Sequence, residues 1–352
     1  MKHLLQQLAA GAPLTAAQAV AAFDAIMTGR ATPAQIGALL GLMQARGPTV
    51  DEITAAAQVM RQKVTPVAVP SGLTVIDTCG TGGDHAGTFN VSTAAALVAA
   101  AAGRPHGVAV AKHGNRSVTS QSGSSQVLEA LGVKLPVGGD TLTRCLDAAG
   151  ICFCFAPSHH PAMKYAAPVR AELGFRTIFN LLGPLTNPAG ATRQVVGVFS
   201  AALTEPIAQV LANLGSEHAW VVHGQSAGGA SAGGPGDRGI DELSTLGPSR
   251  VSETRGLGVR TFAVDPDALG VARGDLAALQ VAGPAASAAM IRAVLAGESG
   301  PPRDIVSLNA AAALVVAGLA DDLEQGVAQA ADAIDAGAAA RTLDRLIALT
   351  NA

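Results

Sequence analysis

Residues 73–111 read LTVIDTCGTGGDHAGTFNVSTAAALVAAAAGRPHGVAVA, and three signals follow one another within that run. Residues 73–78 form a short apolar stretch of strand length, residues 91–102 an Ala-rich stretch of helix length, and residues 107–111 a second short apolar stretch. Strand, helix, strand in that order argues for a mostly parallel sheet covered on both faces. Between the first strand and the helix lie Gly80, Gly82 and Gly83. Glycines in such a turn let backbone N–H groups converge on an anion. The helix opening at Asn90-Val91-Ser92-Thr93 adds the positive end of its dipole. The loop lacks the Lys-Ser/Thr of a P-loop and the GxGxxG order of a dinucleotide fold. On its own it is equally well a plain tight turn, and both readings stay open at this point.

Working downstream, residues 124–131 read as helix and 151–156 as strand. Residues 161–182 have a helical pattern. Residues 194–199 and 219–223 are strands, with a helix over 206–214 between them. Residues 225–239 are almost all Gly, Ala, Ser and Pro, which reads as a mobile surface loop. Ala-rich helices follow over 308–319 and 323–349. Upstream, Thr15 with Gln18, Thr32 with Gln35 and Thr49 with Glu52 are three capping boxes. An apolar stripe runs behind each: Ile36, Leu39, Leu40 and Met43 in the second, Ile53, Ala56, Ala57 and Met60 in the third. Gly29 and Gly47 are the stops. Residues 66–70 are a linker. The expectation is an α/β protein: a small N-terminal helical bundle over 1–70 and a larger domain with a mostly parallel central sheet covered by helices, over 71–162 and 188–352.

The chain has 352 residues, more than one core usually covers. It is 49% hydrophobic and 14% charged, which excludes a disordered chain. A net charge of -3 without a basic stripe argues against nucleic acid. The longest apolar stretch, near residues 94–102, is too short to span a bilayer. The N-terminus lacks the apolar core of a signal peptide, so the expected location is the cytoplasm. Cys79, Cys145, Cys152 and Cys154 form no CxxC pair, so zinc is not expected and buried, reduced thiols are.

Three further groups carry chemistry. Lys112-His113-Gly114-Asn115-Arg116-Ser117-Val118-Thr119-Ser120 follows the 107–111 strand, at the carboxyl end where open α/β sheets bind ligands. Its cations, amide and hydroxyls suit a phosphate and a sugar. His113 is either a general base or, more in keeping with a lone histidine, a hydrogen-bonding residue that moves no proton. His159-His160-Pro161-Ala162-Met163-Lys164 leads to Arg170, whose planar fork suits a carboxylate; adjacent histidines make no metal pair. Asp241-Glu242 sits beside the Gly-rich stretch. Such a pair is ordinarily surface charge, yet a diphosphate brings magnesium, which takes one or two carboxylates.

Taken together, DTCGTGGD, FNVST, KHGNRSVTSQSGSSQVLEALG, FAPSHHPAMKYAAPVRAELGFRTIFNLLGPLTNP, DELS and SLNAAAAL resemble the anthranilate phosphoribosyltransferase family. The match spans roughly residues 4 to 345, and the long segment ending in LTNP is its most specific part. The resemblance implies transfer of the phosphoribosyl group of 5-phosphoribosyl 1-diphosphate to the amine of anthranilate, giving N-(5-phosphoribosyl)anthranilate and diphosphate in tryptophan biosynthesis. It implies that Gly80, Gly83, Asp84, Thr88, Asn90, Val91, Ser92 and Thr93 hold phosphoribosyl diphosphate. It also implies that Lys112, His113, Gly114, Asn115, Arg116, Ser117, Val118, Thr119, Ser120 and Ser124 close over it, with Lys112 stabilising the leaving group. Gly80, Asn115 and Arg170 would face anthranilate. Ser92 would touch one magnesium ion, and Asp241 and Glu242 a second, two per subunit. Residues 163–187 would pack onto the N-terminal helices, which would form a homodimer interface. Thr119 stands where Ser is common, and Gln121 and Gln126 where Lys and Asp are expected. Pyrimidine nucleoside phosphorylases share the fold and a similar loop, but would need no Arg170 and no diphosphate.

Overall fold

The computed structural model describes residues 1–116, 122–226, 239–256 and 258–352. The N-terminal helices are α1 (Lys2–Ala9), α2 (Ala16–Met27), α3 (Pro33–Arg46) and α4 (Val50–Gln62). All three capping boxes form, each Thr hydroxyl accepting from the third helical amide while the Gln or Glu side chain reaches back. Glu52 does more than cap. Fully buried, it takes hydrogen bonds from the Thr49 and Leu14 amides at 2.8 and 2.9 Å and from Arg46 at 2.6 Å. Such pairing offsets the cost of burying a carboxylate.

The larger domain holds one seven-stranded sheet: β1 (Thr74–Gly80), β2 (Val108–Gly114), β3 (Ile151–Phe155), β4 (Arg193–Gly197), β5 (His218–Gly224), β6 (Ser249–Arg255) and β7 (Gly258–Val264). The order is β3-β2-β1-β4-β5-β6-β7. The first five strands are parallel, and β6 and β7 are added antiparallel. The chain runs outward from β1 to β3, then returns to lay β4 on the other side of β1. The order therefore reverses between β1 and β4. Open α/β sheets bind ligands at such a point, beyond the carboxyl ends of the strands.

The sheet's two faces serve different cores, as the period of two requires. Val195, Trp220 and Val222 pack with helix α5 (Val91–Gly103) and helix Pro301–Ala317, both almost wholly buried. Val196, Ala219 and Val221 face the other way and share a core with the N-terminal helices. Residues of 166–185, among them Val169, Ile178 and Phe179, join that second core. Phe179 meets Phe23 edge-on at 5.9 Å. Arg61 of α4 fastens this region by donating to the Leu185 and Leu214 carbonyls at 2.7 and 3.1 Å.

Several elements depart from the sequence reading. β6, β7, helix α7 (Gly139–Ala149) and helix Pro284–Leu295 were not anticipated. The Ala-rich stretch 323–349 is two helices, Leu323–Asp335 and Ala338–Asn351, parted at Gly337 with φ 66°. The helix expected at 308–319 begins at Pro301. Residues 227–238 of the Gly-rich stretch, and Ser117, Val118, Thr119, Ser120 and Gln121, lie outside the described residues.

Candidate active site

At the point where the strand order reverses, the sheet is notched. Gly80 ends β1 and pairs in register with Gly197, the end of β4. A Cβ on Gly197 would stand 1.6 Å from the Asp241 carbonyl oxygen, and one on Gly80 would stand 2.5 Å from Asp241 Oδ2. Only glycine lets the Asp241-Glu242 segment lie across these strand ends. The acidic pair is thus packed against the glycine loop and is not surface charge.

The carboxylates gather around that notch. Asp241 Oδ2 accepts from the Gly82 amide at 2.9 Å, and its own amide donates to Asp84 Oδ2 at 3.3 Å. Glu242 Oε1 accepts from the Ser92 amide at the start of α5, 3.0 Å away. Burial, then the nearby Asp84 and Glu242 charges, push the Asp241 carboxyl well above the usual carboxylate range. Burial also raises Glu242 to about 7, against the pull of Lys112 and the Ser92 amide. Three acids held this close favour either protons or a cation. Among the described residues, no group of three or more His, Cys, Asp or Glu is arranged to hold a metal by itself. A cation here would need further oxygen ligands.

Lys112 supplies the opposing charge. It is buried on β2, with Nζ donating to the Thr78 carbonyl and, at 3.2 Å, to Ser92 Oγ. The Ser92 hydroxyl thus accepts from Lys112 and hydrogen-bonds the Glu242 carboxylate, which leaves it a lone pair for a ligand. Val91 and Thr93 point into the core instead, and the Val91 amide is taken by the Phe89 carbonyl. Thr88 bridges to Gln280 at the loop's far side.

His113, next along β2, faces the other side of the sheet. Its Nδ1 lies 2.9 Å from the Gly183 carbonyl, so Nδ1 carries the hydrogen. Nε2 must then accept from His160 Nε2 at 3.2 Å. Burial, followed by the neighbouring His160, lowers His113 to about 3, and burial lowers His160 to about 4. Both rings are neutral at pH 7. Beneath them Asp77 accepts from the His113 amide at 3.1 Å and from Asn187 Nδ2 at 2.7 Å.

The remaining expected residues spread outward. Gly114 packs on Ser124, whose hydroxyl donates to the Asn115 carbonyl at 3.3 Å at the head of helix α6 (Ser124–Leu131). Arg116 is exposed and paired with Glu129 at 2.9 Å. Arg170, on helix Ala167–Leu173, lies 5.3 Å over the Phe179 ring. Its half-buried guanidinium makes no hydrogen bond or ion pair among the described residues. No described contact joins Arg170 to Gly80 or Asn115.

Three residues at the site were not singled out. Asn187 cross-links Asp77 to the Ala111 carbonyl, 2.7 Å away. Arg176 donates to the Gly83 carbonyl and stacks on Phe199 at 4.1 Å. Ser287 holds Asn90. Each is a lone polar residue whose partner lies far away in sequence, so no local pattern marks it.

A notch at a sheet's switch point suits many ligands, and the whole chain decides among them. Residues 72–340 match the model of the glycosyl transferase family a/b domain, and residues 2–64 that family's helical bundle domain. The anthranilate phosphoribosyltransferase of Rhodospirillum rubrum is 53% identical over 352 residues, covering 100% of this chain and 96% of that protein. The crystal structure of the Thermus thermophilus anthranilate phosphoribosyltransferase matches with a TM-score of 0.88 at 42% identity, covering 99% of each chain. The Saccharomyces cerevisiae enzyme in complex with PRPP and Mg matches with a TM-score of 0.85 at 25% identity, covering 99% of this chain and 97% of that one. Likeness in both domains, over the full length and at this identity, means that the chain belongs to the anthranilate phosphoribosyltransferase family.

Proposed function

We propose that the notch between β1 and β4 is where this enzyme transfers the phosphoribosyl group of 5-phosphoribosyl 1-diphosphate to the amine of anthranilate, giving N-(5-phosphoribosyl)anthranilate and diphosphate. The bond from C1 to the diphosphate oxygen breaks with its electron pair going to the diphosphate, the amine nitrogen's lone pair forms the new bond to C1, and that nitrogen then gives up one proton to the departing diphosphate or to water. The observation that carries this reading is the meeting of Lys112, Ser92 and the three acids Asp84, Asp241 and Glu242 over the glycine loop.

The residues divide the work. Gly80, Gly83, Asp84, Thr88, Asn90 and Ser92 hold the diphosphate and ribose, with Asn115, Arg116 and Ser124 closing over them. Lys112 acts from beneath, orienting the Ser92 hydroxyl and setting a positive potential where charge develops on the leaving diphosphate. The donor set fits magnesium: hard oxygens only, two carboxylates and a hydroxyl, completed by the substrate's phosphate oxygens. Ser92, Asp241 and Glu242 would hold it, at two ions per subunit. Magnesium held there would offset the negative charge of the diphosphate.

Arg170 is the anthranilate clamp. An unpaired, half-buried guanidinium suits a carboxylate. The aromatic amine is neutral at pH 7, so attack needs no base beforehand. His113, with both ring nitrogens engaged, is a positioning residue and not a base. Following loss of anthranilate fluorescence with phosphoribosyl diphosphate and magnesium tests the reaction. No consumption, or consumption equal with and without the diphosphate, refutes it.

The chain also pairs with a second copy through α1 and α2. Met1, Leu4, Ala17, Ala21 and Ala25 line a groove there, and Leu5 and Val20 are only half-buried. A monomer by light scattering at micromolar concentration overturns this. Among the described residues no helix is long and apolar enough to cross a membrane. The four cysteines are free and buried, which suits a reducing cytoplasm.

A further inference from the structure

Asn90 stands at the N-cap of α5, where an Asn side chain ordinarily accepts from the helix's first amides. Here it makes no such bond. Its Oδ1 instead accepts from two hydroxyls, Ser122 Oγ at 2.7 Å and Ser287 Oγ at 2.9 Å, and its Nδ2 donates to the Ser122 carbonyl at 3.2 Å. Ser287 closes the ring by accepting from the Asn90 amide at 3.0 Å. Ser287 is fully buried on helix Pro284–Leu295, and both of these bonds go to Asn90.

We propose that Ser287 is a positioning residue for phosphoribosyl diphosphate. It fixes the backbone and side chain of Asn90 in one geometry. It thereby keeps the amide that Asn90 offers turned toward Ser122, just ahead of helix α6. The third contact is a helix 197 residues away in sequence. That helix carries no residue expected to touch substrate. Its part is to stop Asn90 from turning back to cap α5, which would withdraw it from the ribose side of the notch. The inference rests on Asn90 belonging to the phosphoribosyl diphosphate site.

Steady-state kinetics on the full-length enzyme test it. Ser287→Ala should raise KM for phosphoribosyl diphosphate about tenfold, the effect of one well-made hydrogen bond. KM for anthranilate should be unchanged. Ser287→Cys, which keeps the volume and only a weak donor, should give a smaller shift in the same direction even if the alanine variant folds poorly. The Asn90→Ala Ser287→Ala double variant should be no worse in this KM than Asn90→Ala alone. Loss of melting temperature in both serine variants with KM for phosphoribosyl diphosphate unmoved makes Ser287 merely structural and overturns the proposal. So does additive loss in the double variant. If Asn90→Ala itself leaves that KM unchanged, the placing of Asn90 in the substrate site is what fails.

Discussion

Asp241 and Glu242 are costly to the protein on its own. Each is half-buried close to another carboxylate, and both are pushed toward their protonated forms. For a carboxyl whose folded pKa is raised, stability is highest below its unfolded value and is lost as pH rises through the folded one. Replacing the pair with Asn and Gln should therefore raise the melting temperature without ligand at pH 8. Activity should fall about a hundredfold, with partial recovery at high magnesium. An unchanged magnesium dependence would show that these acids hold no metal. Arg170 presents the opposite case, a cation that makes no hydrogen bond or ion pair among the described residues. Arg170→Ala should raise KM for anthranilate about ten- to a hundredfold, as a charge-assisted hydrogen bond of about 1.5–3 kcal/mol predicts. KM for phosphoribosyl diphosphate should stay within about twofold. Equal losses for both substrates would move Arg170 out of the clamp role.

At the scale of elements, the turn from β1 into α5 depends on glycine for its path. Gly83 has φ 81°, and a Cβ there would come within 2.9 Å of the Arg176 guanidinium that grips the loop. Gly83→Ala should weaken phosphoribosyl diphosphate binding by about tenfold or more, since αL strain costs about 1–2 kcal/mol before any clash. The melting temperature should change little, because the loop lies outside both cores. Calorimetry showing normal affinity would sink this. The turn was legible because its glycines and flanking apolar runs are contiguous. β6 and β7 were not. Their sequences, SRVSETR and GVRTFAV, carry charges, and β7 is the antiparallel edge of the sheet, where charge keeps an edge from pairing with strangers. They read as loop until Arg260 and Trp220 are seen to share Glu253, at 2.7 and 3.1 Å. Helix α7 has Gly138 at its N-cap, with no side-chain cap to announce it.

For the molecule as a whole, the two neutral histidines join the sheet to the segment that packs with the N-terminal helices. His113 comes from β2, and His160 precedes the stretch whose Val169 and Phe179 enter the second core. In the fold their pKa values are about 3 and about 4, whereas in the unfolded chain both sit near the ordinary 6.5. Below pH 6.5 the unfolded chain takes up protons that the fold refuses, so stability falls with pH. Each histidine contributes about 1.4 kcal/mol per pH unit once the unfolded chain is protonated. The loss runs from pH 6.5 down to about 4 for His160 and about 3 for His113. Melting temperatures without ligand should therefore drop steeply between pH 6.5 and 4.5. His160→Gln keeps an N–H for His113 Nε2 and cannot titrate, so it should flatten that slope by roughly half while leaving the pH 7.5 value nearly unchanged. A wild-type slope that survives the substitution would place the acid sensitivity elsewhere, in the carboxylates whose pKa the fold lowers. It would also mean that the sheet and the helical region are not joined through this pair.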